Sequence, residues 1–233
     1  MRARFAWTVA SLLAVSLLSA DTAFAQQTVN FSLGYFTVRG EDARVDGDAL
    51  VENRDIYVFD FQDFNGVSIG AEWLVPLGDY LEAGAGIGLT NRSVDTIYDQ
   101  FVRPDGSEIE QELKLRIIPI TGTLRVLPLG RSNPLQPYVG GGIGVLNWRY
   151  SETGDFIDFR TSGRPVFRDS YSASGNAIGP VAVFGLRYAG SSYTVGAEAR
   201  YQKGEGDLDE TDFLGPKIDL GGFHYLATFG VRF

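Results

Sequence analysis

The chain has 233 residues, a formal net charge of −9 and no cysteine. The acidity argues against a nucleic-acid partner, because phosphate binding needs clustered Lys and Arg. The lack of cysteine excludes disulfides and thiolate metal sites. The mean hydropathy of −0.03 fits a soluble protein, but it fits a membrane barrel equally well, because lipid-facing and lumen-facing residues cancel in the average.

The N-terminal residues have the pattern of a secretory signal peptide. Arg2 and Arg4 precede the apolar stretch 6–20, and Ala23-Phe24-Ala25 supplies small residues for cleavage. This segment is too short and wrongly flanked for a retained membrane anchor. We therefore expect a cleaved signal peptide over residues 1–25 and a single domain over residues 26–233.

Segments of alternating polarity follow along the rest of the chain. In each, apolar or aromatic residues on one face alternate with small or polar residues on the other, which predicts β-strands. In chain order the segments cover 29–35, 67–75, 81–90, 118–126, 138–145, 182–188, 193–201 and 223–233. The sequence therefore predicts an all-β protein.

The connections between these segments alternate in length. Short turns are expected at 76–79, 128–137 and 189–192, and long polar loops at 40–63, 93–112, 149–175 and 204–221. Short periplasmic turns and long external loops are typical of outer-membrane barrels. We predict a closed eight-stranded antiparallel up-and-down transmembrane barrel in the outer membrane, with both termini periplasmic.

The charged residues indicate which face of each strand points outward. All charges within the strand cores lie opposite the apolar face: Glu72, Glu82, Arg125, Arg187, Glu198, Arg200 and Arg232. An eight-stranded interior has little room for large side chains, so the apolar face should meet lipid. We expect the charges to form a network that plugs the lumen, with Arg125 between Glu72 and Glu82. A gated polar pathway remains the alternative.

Aromatic residues on the lipid face are expected at both ends of the strands. Two such girdles are typical of membrane interfaces. Their predicted members are Tyr35, Trp73, Tyr188, Tyr193, Tyr201 and Phe223.

Together these features resemble the small eight-stranded outer-membrane barrels of the OmpA/OmpX type. The resemblance rests on the signal peptide, the eight alternating segments, the stretch 137–144 and the closing strand 223–233. It implies that Tyr225, Phe229 and Phe233 form the signal read by the barrel-assembly machinery, and that outer-membrane lipids are partners. Full-length OmpA proteins also carry a peptidoglycan-binding domain, which is not expected here.

A structural or interaction role without catalysis, cofactor or metal is the expected function. One alternative is narrow, porin-like uptake or binding of a small molecule, which a continuous cavity lined by Leu74, Tyr138 and Leu226 would favour. A third is a lipid-modifying enzyme. The only histidine, His224, has Leu226 rather than serine at the next position on its face, so we expect it to be a hydrogen-bonding member of the lumen.

Two loops carry unusual charge patterns. Residues 204–212 contain five carboxylates, which fits either a solvated acidic loop or a calcium site, although the ligand order of an EF-hand is missing. Residues 149–175 interleave arginines with aromatics. That loop could contact anionic lipid headgroups or a partner, or could fold on itself.

Overall fold

The computed structural model describes residues 26–233, so the predicted signal peptide lies outside the described residues. The strands are β1 (Thr28–Val38), β2 (Gly66–Pro76), β3 (Leu81–Val102), β4 (Glu108–Val126), β5 (Leu135–Ile157), β6 (Val166–Ala189), β7 (Tyr193–Gln202), β8 (Glu205–Asp207), β9 (Lys217–Asp219) and β10 (Gly222–Arg232). One helix, α1, covers Ala49–Arg54, and 3-10 turns cover Glu41–Ala43 and Phe61–Phe64.

Eight of these strands close into an antiparallel barrel, in the order β1-β10-β7-β6-β5-β4-β3-β2. Only β8 and β9 lie outside it, as a separate two-stranded sheet. The seam between β1 and β10 places Phe31 opposite Phe229 and Tyr35 opposite Tyr225. The predicted closed up-and-down barrel is confirmed. No helix among residues 26–233 is long and apolar enough to cross a membrane.

Two of the predicted long loops are mostly strand, which corrects the sequence prediction. β3 continues to Val102 before β4 begins at Glu108, and β5 continues to Ile157 before β6 begins at Val166. Both hairpins therefore project far beyond the ends of β2 and β7. The outward faces of 93–112 and 149–175 are polar, which favours a loop prediction, although the period of two continues through them.

Along strand β4 the outward side chains change from apolar to charged. From Val126 back to Ile118 its outward side chains are apolar, apart from Gly122, whereas from Arg116 back to Glu108 they are all charged. The inward face changes at the same level, from Arg125, Thr123 and Thr121 to the buried apolar residues Ile117, Leu115, Leu113 and Ile109. Below this level the wall suits lipid outside, and above it the wall suits water outside.

We call the lower, outward apolar surface the outer apolar band. It includes the exposed side chains of Phe31, Leu33, Ile69, Ile87, Leu89, Ile120, Leu124, Val139, Ile143, Ile178, Phe184, Val195 and Phe229. On β5 and β6 it covers 135–145 and 178–188, which matches the about 9–11 residues that a tilted strand needs to cross a bilayer.

Above the band, the barrel end is filled as in a soluble domain. Residues 39–65 and 203–221, which we call the cap, fold over this end. Their apolar side chains, including Leu50, Phe213, Ile218 and Leu220, pack with Leu113, Leu115, Ile117, Leu146, Trp148 and Tyr150 of the wall. The result is a hydrophobic core that lies directly over the lumen.

Candidate functional site: the lumen and its cap

The lowest level of the lumen, nearest the short turns, contains a buried ion pair. Arg187 donates from Nη1 and Nη2 to the two carboxylate oxygens of Glu82, at 2.9 and 2.7 Å. Its Nε donates to Gln136 Oε1 at 2.9 Å. Gln136 in turn donates to the carbonyls of Arg131 and Asn133 in the short turn. This two-pronged geometry holds the pair rigidly across the bore.

Four charges form a second level, which we call the central ion cluster: Glu72, Arg125, Glu198 and Arg200. Arg125 bridges Glu72 and Glu198, with 2.9 Å to the latter. Arg200 bridges the same two carboxylates, at 2.7 Å to Glu198 and 3.3 Å to Glu72. The cluster is neutral in sum, and each carboxylate has two cationic partners. Buried charges are tolerated when they are paired in this way.

Tyr138 connects the two levels. Its hydroxyl donates to Glu198 Oε2 at 2.9 Å. The guanidinium carbons of Arg125 and Arg187 lie 4.8 and 5.7 Å from its ring centroid, within the range of a cation–π contact. The ring has space because Gly185 faces it; a Cβ there would lie 2.3 Å from the phenol. The phenol therefore closes the gap between the ion pair and the central ion cluster.

The third level contains the only histidine. His224 Nδ1 lies 2.9 Å from Ser68 Oγ, and its Nε2 lies 3.2 Å from Gln202 Oε1. The sequence prediction considered a serine only on the strand of His224 and so missed Ser68. The adjoining polar cavity has a volume of about 20 Å³, which is room for about one water molecule. No lipid or peptide substrate fits between Ser68 and its neighbours.

Above this cavity the lumen is closed by apolar side chains. The Phe36 ring packs on His224 at 4.6 Å between centroids. Ile117, Leu146 and Trp148 lie above it and are almost fully buried. The indole of Trp148 is covered by Gly206 of the cap, where a Cβ would lie 2.3 Å from the ring. The bore therefore ends in the hydrophobic core beneath the cap.

The two halves of the cap are joined by buried polar contacts. Asp48 pairs with Arg44 and accepts the backbone N–H of Asp219 at 2.9 Å. Asp219 pairs with Arg39 at 2.9 Å and accepts the backbone N–H groups of Val45 and Gly221. Burial raises the pKa of Asp48 despite the Arg44 guanidinium. These bonds tie residues 39–48 to the strand β9.

A further buried carboxylate attaches α1 to the projecting wall. Glu152 Oε1 accepts hydrogen bonds from Asn53 at 2.7 Å and from the Tyr150 hydroxyl at 2.8 Å. Burial raises the pKa of Glu152, and the two hydrogen bonds offset this only in part. Glu152 lies above the outer apolar band. No cation pairs with it among the described residues.

The geometry corrects one predicted contact. Arg125 does lie opposite Glu82 in the β3–β4 register, but its guanidinium turns away to Glu72 and Glu198. Glu82 forms its ion pair with Arg187 instead. Arg232 lies apart from both levels and donates to the Gly190 carbonyl in a short turn.

The aromatic residues predicted for the lipid face all lie on the outward surface. The exposed ones are Tyr35, Trp73, Tyr188, Tyr193, Phe223, Tyr225, Phe229 and Phe233, whereas Tyr201 is half-buried. Phe223 packs against Tyr201 at 4.8 Å between ring centroids.

The acidic stretch 204–212 uses its carboxylates locally. Asp209 accepts hydrogen bonds from the backbone and hydroxyl of Thr211, which lower its pKa. Glu205 pairs with Lys217 at 3.0 Å across β8 and β9. Within residues 26–233 there is no group of three or more His, Cys, Asp or Glu placed to hold a metal ion.

Comparison with known proteins gives structural neighbours only. No family model matches the chain, and no curated protein matches it. Similar solved structures include the outer membrane protein OprG from Pseudomonas aeruginosa, with a TM-score of 0.48, 14% identity, and coverage of 90% of this chain and 96% of that one. Neisserial surface protein A has a TM-score of 0.45 and 12% identity, with coverage of 90% of this chain and 97% of that one. Ail of Yersinia pestis, solved with a heparin analogue, has a TM-score of 0.40 and 12% identity, with coverage of 89% of this chain and 99% of that one.

Proposed function

We propose that this chain is an outer-membrane β-barrel protein with a structural or interaction role, closed to transport and displaying two projecting hairpins at the cell surface. The observation that carries the proposal is the filling of the lumen, apart from a cavity of about 20 Å³ at its third level. The Glu82–Arg187 pair, the central ion cluster and the hydrophobic core succeed one another along the bore. Beyond them the wall continues as polar-faced sheet.

The proposed orientation places the short turns and both ends of the barrel domain in the periplasm. The aromatic girdles would then lie at the two membrane interfaces. Tyr225 and Phe229 share the outward face of β10, and the exposed Phe233 directly follows its last residue; the barrel-assembly machinery could read all three there. Outer-membrane lipids cover the outer apolar band, whose exposed aliphatic and aromatic side chains would be unfavourable in water.

Uptake and catalysis receive less support. Of the residues that would have lined a transport cavity, Leu74 is 1% exposed and Tyr138 is 3% exposed, and Leu226 lines only the cavity of about 20 Å³. Ser68, His224 and Gln202 form a hydrogen-bonded array, but they face a cavity of about 20 Å³. A lipid-modifying enzyme needs a bilayer-accessible nucleophile, and Ser68 is 4% exposed.

Cysteine labelling tests the display of the hairpins. Because the natural chain has no cysteine, Ser162→Cys in the β5–β6 connection and Ser191→Cys in the β6–β7 turn form a matched pair at exposed serines. A membrane-impermeant maleimide should label Ser162→Cys on intact cells and Ser191→Cys only after the outer membrane is permeabilised. Labelling of Ser191→Cys alone on intact cells would refute the orientation.

A further inference from the structure

Three cations lie together on the outer face of the wall, at the level where the outer apolar band ends. Arg116 of β4 and Arg149 of β5 are direct partners in the register, and Lys114 is the next outward residue of β4. Residues directly opposite in an antiparallel pair have Cβ atoms about 4.5–5.5 Å apart, and like charges there are destabilising. The two arginines thus create a site that an anion would stabilise.

Glu112 is the next outward residue of β4 after Lys114, but it forms no ion pair with this group. The ion pairs formed within residues 26–233 involve none of the three cations. Arg116 Nε is enclosed and has no hydrogen-bond acceptor. Arg149 reaches only the Ser172 hydroxyl, at 3.4 Å. All three cations line an open depression without an ion-pair partner from residues 26–233.

Mostly uncharged polar groups surround the cations. Asn91 lies opposite Arg116 on β3, and Ser151 lies opposite Lys114 on β5. They line a shallow depression of about 400 Å³ together with the three cations, Thr153, Ser170, Ser172 and one carboxylate, Glu112. Hydroxyl and amide groups of this kind hydrogen-bond to sugar hydroxyls and phosphate oxygens.

An apolar groove begins immediately on the membrane side of these residues. Its volume is about 580 Å³, and Phe31, Ile69, Ile87, Leu89 and Ile118 line it. Leu89 and Ile118 are the neighbours of Asn91 and Arg116 on the same outward faces. The groove therefore leads from the middle of the outer apolar band directly to the cations.

We propose that this composite surface binds one phosphorylated lipid of the outer leaflet, with its phosphate at Arg116, Arg149 and Lys114 and an acyl chain in the groove. The planar guanidinium groups suit two-pronged hydrogen bonds to phosphate. Because the apolar groove directly adjoins the cations, the surface favours a lipid, which can occupy both, over a free anion. This inference rests on the membrane setting and the orientation of the proposed function. Lipid binding in detergent does not depend on the orientation, which the cysteine labelling tests separately.

Native mass spectrometry of the detergent-purified full barrel tests the site. The probe is bisphosphorylated lipid A, compared with a phosphate-free form carrying the same acyl chains. The variant R116Q/R149Q should raise the apparent Kd at least about tenfold, a change equivalent to about 1.4 kcal/mol. The matched control R160Q/R168Q removes the same charge from the exposed end of the β5–β6 hairpin. It should change the Kd less than about twofold.

Further variants distinguish a lipid site from general electrostatic attraction and from a site for free phosphate. R116K/R149K keeps the charge without the planar fork and should bind more tightly than R116Q/R149Q. Ala71→Trp fills the groove floor and should weaken lipid binding with the cations intact. Heat-modifiable gel mobility confirms that each variant is folded. Equal loss of binding in R160Q/R168Q, equal binding of the phosphate-free lipid, or displacement by millimolar inorganic phosphate would each overturn the proposal.

Discussion

Replacing Arg125 by methionine perturbs the central ion cluster most directly. The Arg125 side chain is fully buried and bridges Glu72 and Glu198. Removing one partner of a buried ion pair costs about 3–5 kcal/mol, because the opposing charge stays buried. Arg200 still contacts both carboxylates, at 2.7 and 3.3 Å, so we expect the lower end, about 3 kcal/mol.

The companion variant E72L/R125M separates charge imbalance from lost packing. It removes one charge of each sign and leaves the Glu198–Arg200 pair intact. Since apolar replacement of a buried pair is often neutral, the double variant should unfold within about 1 kcal/mol of the natural chain. A variant with two substitutions would then be more stable than one with a single substitution.

Urea titration of the barrel folded in phosphatidylcholine vesicles, followed by tryptophan fluorescence, measures both effects. With a slope of about 1–3 kcal/mol per molar urea, R125M should lower the midpoint by roughly 1–3 M. The control is R168M, because the Arg168 side chain is 77% exposed and should contribute less than about 0.5 kcal/mol. An R125M midpoint equal to that of R168M would refute the account of the central ion cluster.

Three further predictions concern the cap and the outer face. Gly206→Ala should force the cap away from Trp148, because its Cβ would lie 2.3 Å from the indole; limited proteolysis should then cut the cap at least about tenfold faster, and an unchanged rate would count against this packing. Burial raises the pKa of Glu152 above the value of 4.5 that applies in the unfolded chain. Glu152 therefore contributes fully to cap stability below pH 4.5, and this contribution is lost as the pH rises through the raised pKa of the folded state. Hydrogen exchange of α1, corrected for intrinsic rates, should therefore become faster with pH in the natural chain but not in E152Q, which keeps the acceptor oxygen; identical profiles would contradict this. Phe229→Ala should slow barrel assembly in cells more than Phe31→Ala, its cross-strand partner, and equal rates would argue against an assembly signal on β10.

The period of two, together with the side on which the charges lie, was enough to predict the part of the barrel wall within the outer apolar band. The alternation from Phe223 to Phe233 places its aromatic residues outside, and the same parity orients Glu72 and Arg125 inward. These positions follow from local pattern and from the small interior of an eight-stranded barrel. They required no knowledge of distant contacts.

The projecting hairpins were predicted as loops because their outward residues are polar. Along 108–117 the period of two persists, but the charged residues face out and the apolar ones face in. Such a reversal indicates a strand that leaves the membrane and enters water. A search for continued alternation of either polarity would have extended β4 well beyond Ile118.

The ion partners depend on side-chain direction across the bore. Register alone places Arg125 beside Glu82, and a prediction from neighbouring strands follows that pairing. The guanidinium instead reaches Glu198 on β7, which is not adjacent to β4. Ser68 and His224 similarly meet from strands far apart in sequence. Contacts of this kind arise only when the barrel is closed.

Single-channel recording in planar bilayers tests the central claim most directly. With the Glu82–Arg187 pair, the central ion cluster and the capped hydrophobic core in place, the purified protein should give no conductance above the protein-free bilayer across a range of voltages and salt concentrations. Steady, protein-dependent conductance steps would contradict a closed lumen.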